Sequence, residues 1–432
     1  MSALFHPYLC GRNAAEWLIT MKYPTNPLLP LEHFIPDVEA HVWADGRIYL
    51  YGSMDIPTRD RYCCGDYHVF SSDDMINWVD HGVCFSIDQA KWAPSDAVLF
   101  APDCAYRNGT YYLYYCIPDG RCAVATSPSP TGPFEDMGPI EHVTMIDPAV
   151  FIDDDGQAYI YWGQFDGVRV AKLKENMVEI DPDTITQPLS VAEHEFHEGS
   201  SMKKINGKYY FLYTDTHRHG GRATSMGYAV SDNPMTGFKY GGVIIDNFGC
   251  DPQTWNNHGS MACINGQWYV FYHRSSHHTS SARHVCIEPI TINPDGSIDE
   301  AKMTTGWAGP LPADQPMEAC RACEMSGHVC FADDGEGNYV LNRICHGDTA
   351  TYRYLSFNGE NTFTATAKAD RDIRVEVYID SWYQGCVIVP AGGTYQTNTT
   401  VLPPIHGEHT VTLKFYGEFS DGAVSTFVFS KA

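Results

Sequence analysis

The sequence predicts an all-β chain, a five-bladed β-propeller followed by a β-sandwich of jelly-roll type. Three observations predict it. One hairpin phrase recurs five times, the recurrences lie about fifty residues apart, and the texture changes after residue 310, where the phrase stops. The chain has 432 residues, which at roughly 150 residues per domain leaves room for two or three domains. Aromatic residues make up 13% of it, and aromatic side chains favour strands.

Residues 1–24 read as an extension ahead of the repeats, with Met21 a candidate start. They hold neither a basic n-region nor a continuous apolar h-region, so no secretory signal is expected. Fifteen cysteines, an odd number, are scattered along the chain. Together these features lead us to expect a cytoplasmic protein with reduced thiols. A zinc site at Cys320 and Cys323 would need a second ligand pair. Cys330 or Cys345 with His346 offers only irregular spacing, so no zinc site is expected.

The propeller is expected over residues 25–310. The recurring phrase is a polar residue, an apolar stretch, Asn or Asp before Gly, then an alternating aromatic run. It appears as HVWADGRIYLYGS, APDCAYRNGTYYLYY, DPAVFIDDDGQAYIYWG, EGSSMKKINGKYYFLYTD and HGSMACINGQWYVFYH. Asn-Gly and Asp-Gly favour the positive φ of a tight hairpin turn, and the flanking Tyr, Val and Ile favour strands. A fifty-residue unit of some four strands is a propeller blade by length and content. Residues 310–318 read as a Gly/Pro linker. Residues 319–432 alternate apolar and polar in short runs (IRVEVYID, TVTLKFYG, VSTFVFS), a sandwich pattern.

Innermost strands begin near the propeller axis at one mouth, so equivalent positions of different blades converge there. Counting back nine residues from the turn glycine gives Asp37 before Gly46, Asp147 before Gly156 and Glu198 before Gly207. His258 stands eight before Gly266, and Asp103 six before Gly109. Three converging carboxylates repel, so at least one pKa should rise. A protonated carboxyl beside an ionised one is what glycosidic cleavage needs. Gln164, just past the third hairpin, is expected to face the mouth. Among so much negative charge, His258 is expected to be protonated or to meet a divalent cation, calcium by preference. The loop around His217 and His219, and the residues His273, His277 and His278, are expected at the rim or surface. Asp153, Asp154 and Asp155 are expected at a solvated hairpin tip.

The phrases IPDVEAHVW, LFAPDCAY, MIDPAVFIDDDGQAYIYWG, HEGSSMKKINGKYYFLY and NNHGSMACINGQWYVFYHR resemble glycoside hydrolase family 43. That resemblance covers the first ~290 residues from Asn26 and implies an inverting enzyme on five blades. It makes Asp37 the general base, Asp147 the carboxyl that tunes and orients the acid, and Glu198 the general acid. It places His258 near an axial calcium or its waters, and Arg283 on substrate hydroxyls. Phe100 stands where many relatives carry Trp before Ala-Pro, keeping an aromatic wall. Phe100, Asp103, Gln164 and Arg283 are thus the expected substrate contacts. The tail resembles family 6 carbohydrate-binding modules through GEHTVTLKFYG, although GAVSTFVFS lacks the Asn and Trp with which such modules end.

With 53 acidic against 28 basic residues, the formal charge is −25. That field repels phosphate backbones and anionic membranes, so neither nucleic acid nor membrane is an expected partner. The expected substrate is a neutral oligosaccharide, with α-L-arabinofuranosyl groups released from arabinoxylan fragments. The alternatives are a β-xylosidase and a non-catalytic sugar-binding propeller.

Overall fold

The computed structural model describes residues 17–20, 23–57, 61–418 and 422–432. Within them the regular secondary structure is almost all strand, with one single-turn α-helix, Val191–His194, and short 3-10 turns at Ile87–Gln89 and Ala319–Arg321. The five expected blades are present. The first runs outward as Glu39–Val42, Ile48–Tyr51, Asp66–Ser72 and Asn77–Ser86. The second and third run from Asp103–Arg107 to Glu135–Thr144 and from Ala149–Ile152 to Ile180–Leu189. The fourth runs from Phe196–Ile205 to Lys239–Asp246. The fifth has three strands, Met261–Ile264, Gln267–Ser276 and Thr279–Ile290.

The five turn glycines all have positive φ, from 81° to 87°. A Cβ at any of them would meet nothing within 4 Å, so backbone conformation and not space demands glycine there. Asn108, Asn206 and Asn265 are left-handed as well, giving the doubly positive turn that Asn-Gly favours.

Two segments depart from expectation. Trp17–Thr20, counted in the extension, pairs antiparallel with Asn77–Asp80 as a fifth strand on the first blade. Residues 310–318 are not a bare linker: Leu311 and Pro312 pair with Leu355 and Ser356, and Met317 and Glu318 with Phe427 and Thr426. The candidate start at Met21 lies outside the described residues.

The ring closes where the chain ends meet. Leu28 donates its N–H to Val285 O at 2.8 Å, and the Asn26 side chain bonds Ile287 on both its N–H and its C=O. Residues 26–28 thus run beside the outer strand of the three-stranded fifth blade. Leu28, Ile48, Leu50, Phe70 and Trp78 pack there against Phe271, Val285 and Ile287. Closure therefore rests on buried apolar area as well as on backbone bonds.

The C-terminal region builds one ten-stranded sheet around two long strands, Thr349–Lys368 and Gln396–Tyr416. Register shifts near Tyr352, Asn358 and Glu360 bend them, consistent with a β-sandwich. It packs directly on the propeller. His277 donates its N–H to Phe331 O, Met325 donates to Gly249 O, and His284 sits between Phe34 and Phe331. His277 is therefore a junction residue and not a surface one, and burial pushes its imidazole down to about 4.

Asp251, in the loop leading to the fifth blade, is 2% exposed. It accepts backbone N–H groups from Gln253 and His278. Burial pushes its carboxyl up to about 6. A raised carboxyl stabilises the fold fully below the unfolded value near pH 4, and that contribution is lost as pH climbs through 6, about 3 kcal/mol in all. Asp251→Asn should therefore flatten the fall in melting temperature between about pH 4 and pH 6. An unchanged slope in a pH series of thermal melts would remove Asp251 as its source.

Candidate active site

All the candidate groups sit at one end of the ring, where inner strands begin and second strands end. Asp37 precedes Glu39–Val42 and Asp147 precedes Ala149–Ile152. The shared nine-residue offset has a shared conformation, since each carries φ 57°. In the fourth blade the left-handed residue falls one later, on Gly199 with φ 75°. Glu198 there lies between two register shifts of the Phe196–Ile205 strand.

Two groups hydrogen-bond Asp37, and two imidazoles flank it. Ser53 Oγ donates to Oδ2 at 2.9 Å. Arg283 donates to Oδ1 at 2.9 Å. His273 Nδ1 lies 3.3 Å and His258 Nδ1 3.9 Å from the same oxygen. Burial pushes this carboxyl up, but Arg283, His273 and His258 together outweigh it and hold Asp37 below the usual carboxylate range.

Asp147 has the opposite balance. Burial, then Glu198, then Asp37 push its carboxyl well above the usual range. Its Oδ2 accepts the N–H of Gly199 at 3.0 Å, which ties it to the backbone beside Glu198. Glu198 is clamped by two amides: Gln164 Nε2 donates to Oε2 at 2.8 Å and Asn256 Nδ2 to Oε1 at 3.0 Å.

Three residues have protein surroundings that the sequence did not reveal. Arg283 was expected on substrate hydroxyls, but its guanidinium is 2% exposed and forks onto Asp55 through Nε and an amino nitrogen. A second amino nitrogen holds Asp37, and Tyr62 covers the planar face at 4.7 Å. Asp103 was expected at the substrate, but His41 Nε2 contacts its Oδ1 at 2.8 Å and Val150 N–H donates to its Oδ2. It belongs to an interblade lattice in which Glu39 pairs with Lys203. His258 was expected to be protonated or to meet a divalent cation; of the two, protonation is disfavoured, since burial lowers its pKa against the pull of Asp37 and Glu198, desolvation of an imidazolium outweighing the nearby anions.

Other histidines expected at the rim or surface have protein partners of their own. His273, expected at the rim, is completely buried behind Asp37. His217 stacks on Tyr240, and His219 stacks on Phe248 while contacting Asp246. Each thus has an aromatic and a carboxylate partner of its own. Asp153 is held by Lys204 and Tyr209. The fourteen described cysteines are free thiols.

Among the described residues, donor triads with metal-ligand spacing occur at Glu39, His41 and Asp103 and at His328, Cys345 and Asp348. His258 is in neither. Its ring nitrogens make no hydrogen bond to a described residue, and its nearest anionic neighbours are the oxygens of Asp37 and Asp147. One imidazole nitrogen suits a cation only if water supplies most of the shell.

A cavity of about 340 Å³ opens beside this cluster, walled by Tyr62, Val98, Phe100 and Pro118 and edged by Arg61 and Asp96. That volume suits one or two sugar rings. Phe100 is half-buried in its wall. A larger cavity, about 610 Å³, lies between residues 23–32 and the C-terminal sheet. Neither cavity is lined by an axial carboxylate, but the smaller one reaches the cluster through Tyr62, which covers the Arg283 guanidinium.

Asp55, Ser53, Tyr62, Asn256 and His273 are additions. Ser53 and His273 each stand seven residues after a turn glycine, an offset at which no one residue type recurs, and Asp55, Tyr62 and Asn256 lie in loops that differ from blade to blade.

The sequence profile of glycosyl hydrolases family 43 matches residues 24–298. A xylosidase/arabinosidase of Thermoclostridium stercorarium is 33% identical over 74% of this chain and 76% of its own length. The arabinoxylan arabinofuranohydrolase of Bacillus subtilis, solved with cellotetraose, is 25% identical, with 94% of this chain and 97% of that one covered and a TM-score of 0.56. A β-xylosidase/α-arabinofuranosidase from a compost metagenome is 31% identical over 66% of this chain and 99% of that one, with a TM-score of 0.58. It was solved with xylotriose in a calcium-free form.

Removing the Arg283 charge should be visible in pH dependence. In Arg283→Met burial dominates at Asp37, so the acidic limb of the pH–rate profile should move upward by at least about one unit. Arg283→Lys keeps the charge and loses the fork, so turnover should fall while that limb stays near its place. Profiles that move together in both variants would mean that the guanidinium does not set the Asp37 charge.

Proposed function

This chain belongs to glycosyl hydrolase family 43, and on that premise we propose that it is an inverting exo-glycosidase releasing terminal α-L-arabinofuranosyl groups from arabinoxylan-derived oligosaccharides. One observation carries the mechanistic reading: neighbouring axial carboxyls are driven in opposite directions, Asp37 down and Asp147 up. An ionised carboxylate beside a carboxyl that favours its proton is the division of labour that glycosidic hydrolysis requires.

In this reading a water oxygen bonds to the anomeric carbon as the glycosidic C–O bond breaks. Asp37 takes the proton that water sheds, and Glu198 delivers one to the departing oxygen. A carboxylate held as low as Asp37 is a poor proton acceptor at rest. The transfer becomes favourable as the attacking water gains positive charge along the new bond. Gln164 and Asn256 hold Glu198 in place, and Asp147, through Gly199, fixes the backbone beside it. Solvent then returns both carboxyls to their starting states.

β-Xylosidase action is the second reading, because the matched relatives carry both activities in their names. Release from nitrophenyl α-L-arabinofuranoside should exceed release from nitrophenyl β-D-xyloside. The reverse order assigns the enzyme to xylosides. Turnover of neither, with sugar binding intact, points to a binding propeller.

Asp37→Ala should abolish hydrolysis of every substrate, since no other base reaches the water. Glu198→Ala should spare substrates with good leaving groups, which need little protonation. Equal losses on aryl and oligosaccharide substrates for Glu198→Ala would contradict the acid role.

A divalent cation on the axis is part of the proposal. His258 would supply one nitrogen and water most of the remaining ligands, and the ion would offset the crowding of the carboxylates. Exhaustive chelation should then lower activity or melting temperature, and calcium should restore it. Indifference to chelation would leave His258 a substrate-orienting residue.

A further inference from the structure

We infer that His273 is a positioning residue that joins the general base to the general acid from behind. One edge of its ring faces Asp37, with Nδ1 3.3 Å from Oδ1. The other edge faces Asn256: Nε2 lies 2.9 Å from the backbone oxygen and 3.2 Å from Oδ1. Two oxygens on that side require Nε2 to carry its proton and donate. The orientation of Asn256 is fixed by the same contacts, since its Nδ2 donates to Glu198 Oε1 at 3.0 Å. Contacts therefore run from base to acid through Asp37, His273, Asn256 and Glu198; the first is a 3.3 Å approach of the ring to Oδ1 and the other two are hydrogen bonds.

The ring cannot easily leave that line. His273 is completely buried. Its backbone N–H donates to Asn257 Oδ1 at 3.3 Å, and its carbonyl accepts from Asn247 Nδ2 at 2.7 Å. A side chain held at both main-chain groups, in a packed interior, transmits displacement and does not absorb it. The inverting step needs both carboxyls correctly placed about one sugar. His273 sets their separation without touching substrate.

The inference rests on the proposed roles of Asp37 and Glu198, and the test separates the two. The quantity read is the ratio of kcat on a nitrophenyl glycoside to kcat on the matching oligosaccharide. Glu198→Ala fixes the scale; if it leaves the ratio unmoved, the acid assignment itself fails. Asn256→Ala should raise the ratio about tenfold, since a loosened acid matters more to a poor leaving group. His273→Ala should raise it by a similar factor although it never contacts Glu198, and should also slow both substrates by weakening the hold on Asp37. Adding His273→Ala to Asn256→Ala should move the ratio no further, because the two act along one line. His273→Gln keeps a donor for Asn256 but not the imidazole edge toward Asp37. It should restore the ratio and not the rate, and it carries the test if His273→Ala does not fold. A parental ratio in His273→Ala with equal loss on both substrates overturns the inference, as does an additive double variant or a ratio in His273→Gln like that of the Ala variant.

Discussion

Three acids converge on the axis of a closed ring, in a space too dry for all of them to ionise. The five-fold repeat creates the problem by sending the same strand-start position of every blade to one mouth. The surroundings answer it unequally. Asp37 receives a guanidinium, a hydroxyl and two imidazole edges, so its charge survives burial. Asp147 receives one backbone N–H and two anionic neighbours, so its carboxyl is pushed well above the usual range. Glu198 is gripped by two neutral amides, which orient it without adding charge. A site able to accept a proton on one side and deliver one on the other follows from that asymmetry.

The asymmetry is itself supported from further out. Arg283 stays put because Asp55, with no exposed side-chain surface, meets it through two oxygens. Asp55 in turn accepts the N–H of Cys63 and of Arg283 itself. This buried pair spans the first and fifth blades, the two blades whose meeting closes the ring. Removing one partner of such a pair leaves an uncompensated charge and costs about 3–5 kcal/mol. Ring closure and the charge of Asp37 are therefore held by the same contact. Along the inner strands that follow, Lys203 pairs with Glu39 and His41 contacts Asp103.

The repeats made the blades legible because each hairpin is specified locally, by Asn-Gly or Asp-Gly and by an alternating aromatic run. The fixed offset brought out Asp37 and Asp147 because equal spacing produced equal backbone conformation. What the sequence concealed was long-range. Asp55 and Arg283 are 228 residues apart and share no phrase. His273 lies inside a strand whose aromatic pattern reads as ordinary core. The protonation of His258 was misjudged because charge can be counted in a sequence, whereas desolvation requires the burial that only the folded ring reveals. Residues 310–318 read as a linker because two-residue strands leave no periodicity, although tertiary pairing orders them.

Everything above depends on Asp37 being ionised and Asp147 protonated in the same folded molecule. Carbon-13 NMR of the full chain, labelled at the aspartate carboxyl carbons and assigned with Asp37→Asn and Asp147→Asn, reads both states directly. At about pH 7 the account predicts a protonated carboxyl that vanishes in Asp147→Asn, and a carboxylate that stays ionised to the lowest pH the fold survives and vanishes in Asp37→Asn. An Asp147 signal with an ordinary midpoint near pH 4, or an Asp37 signal that titrates above it, would contradict the account.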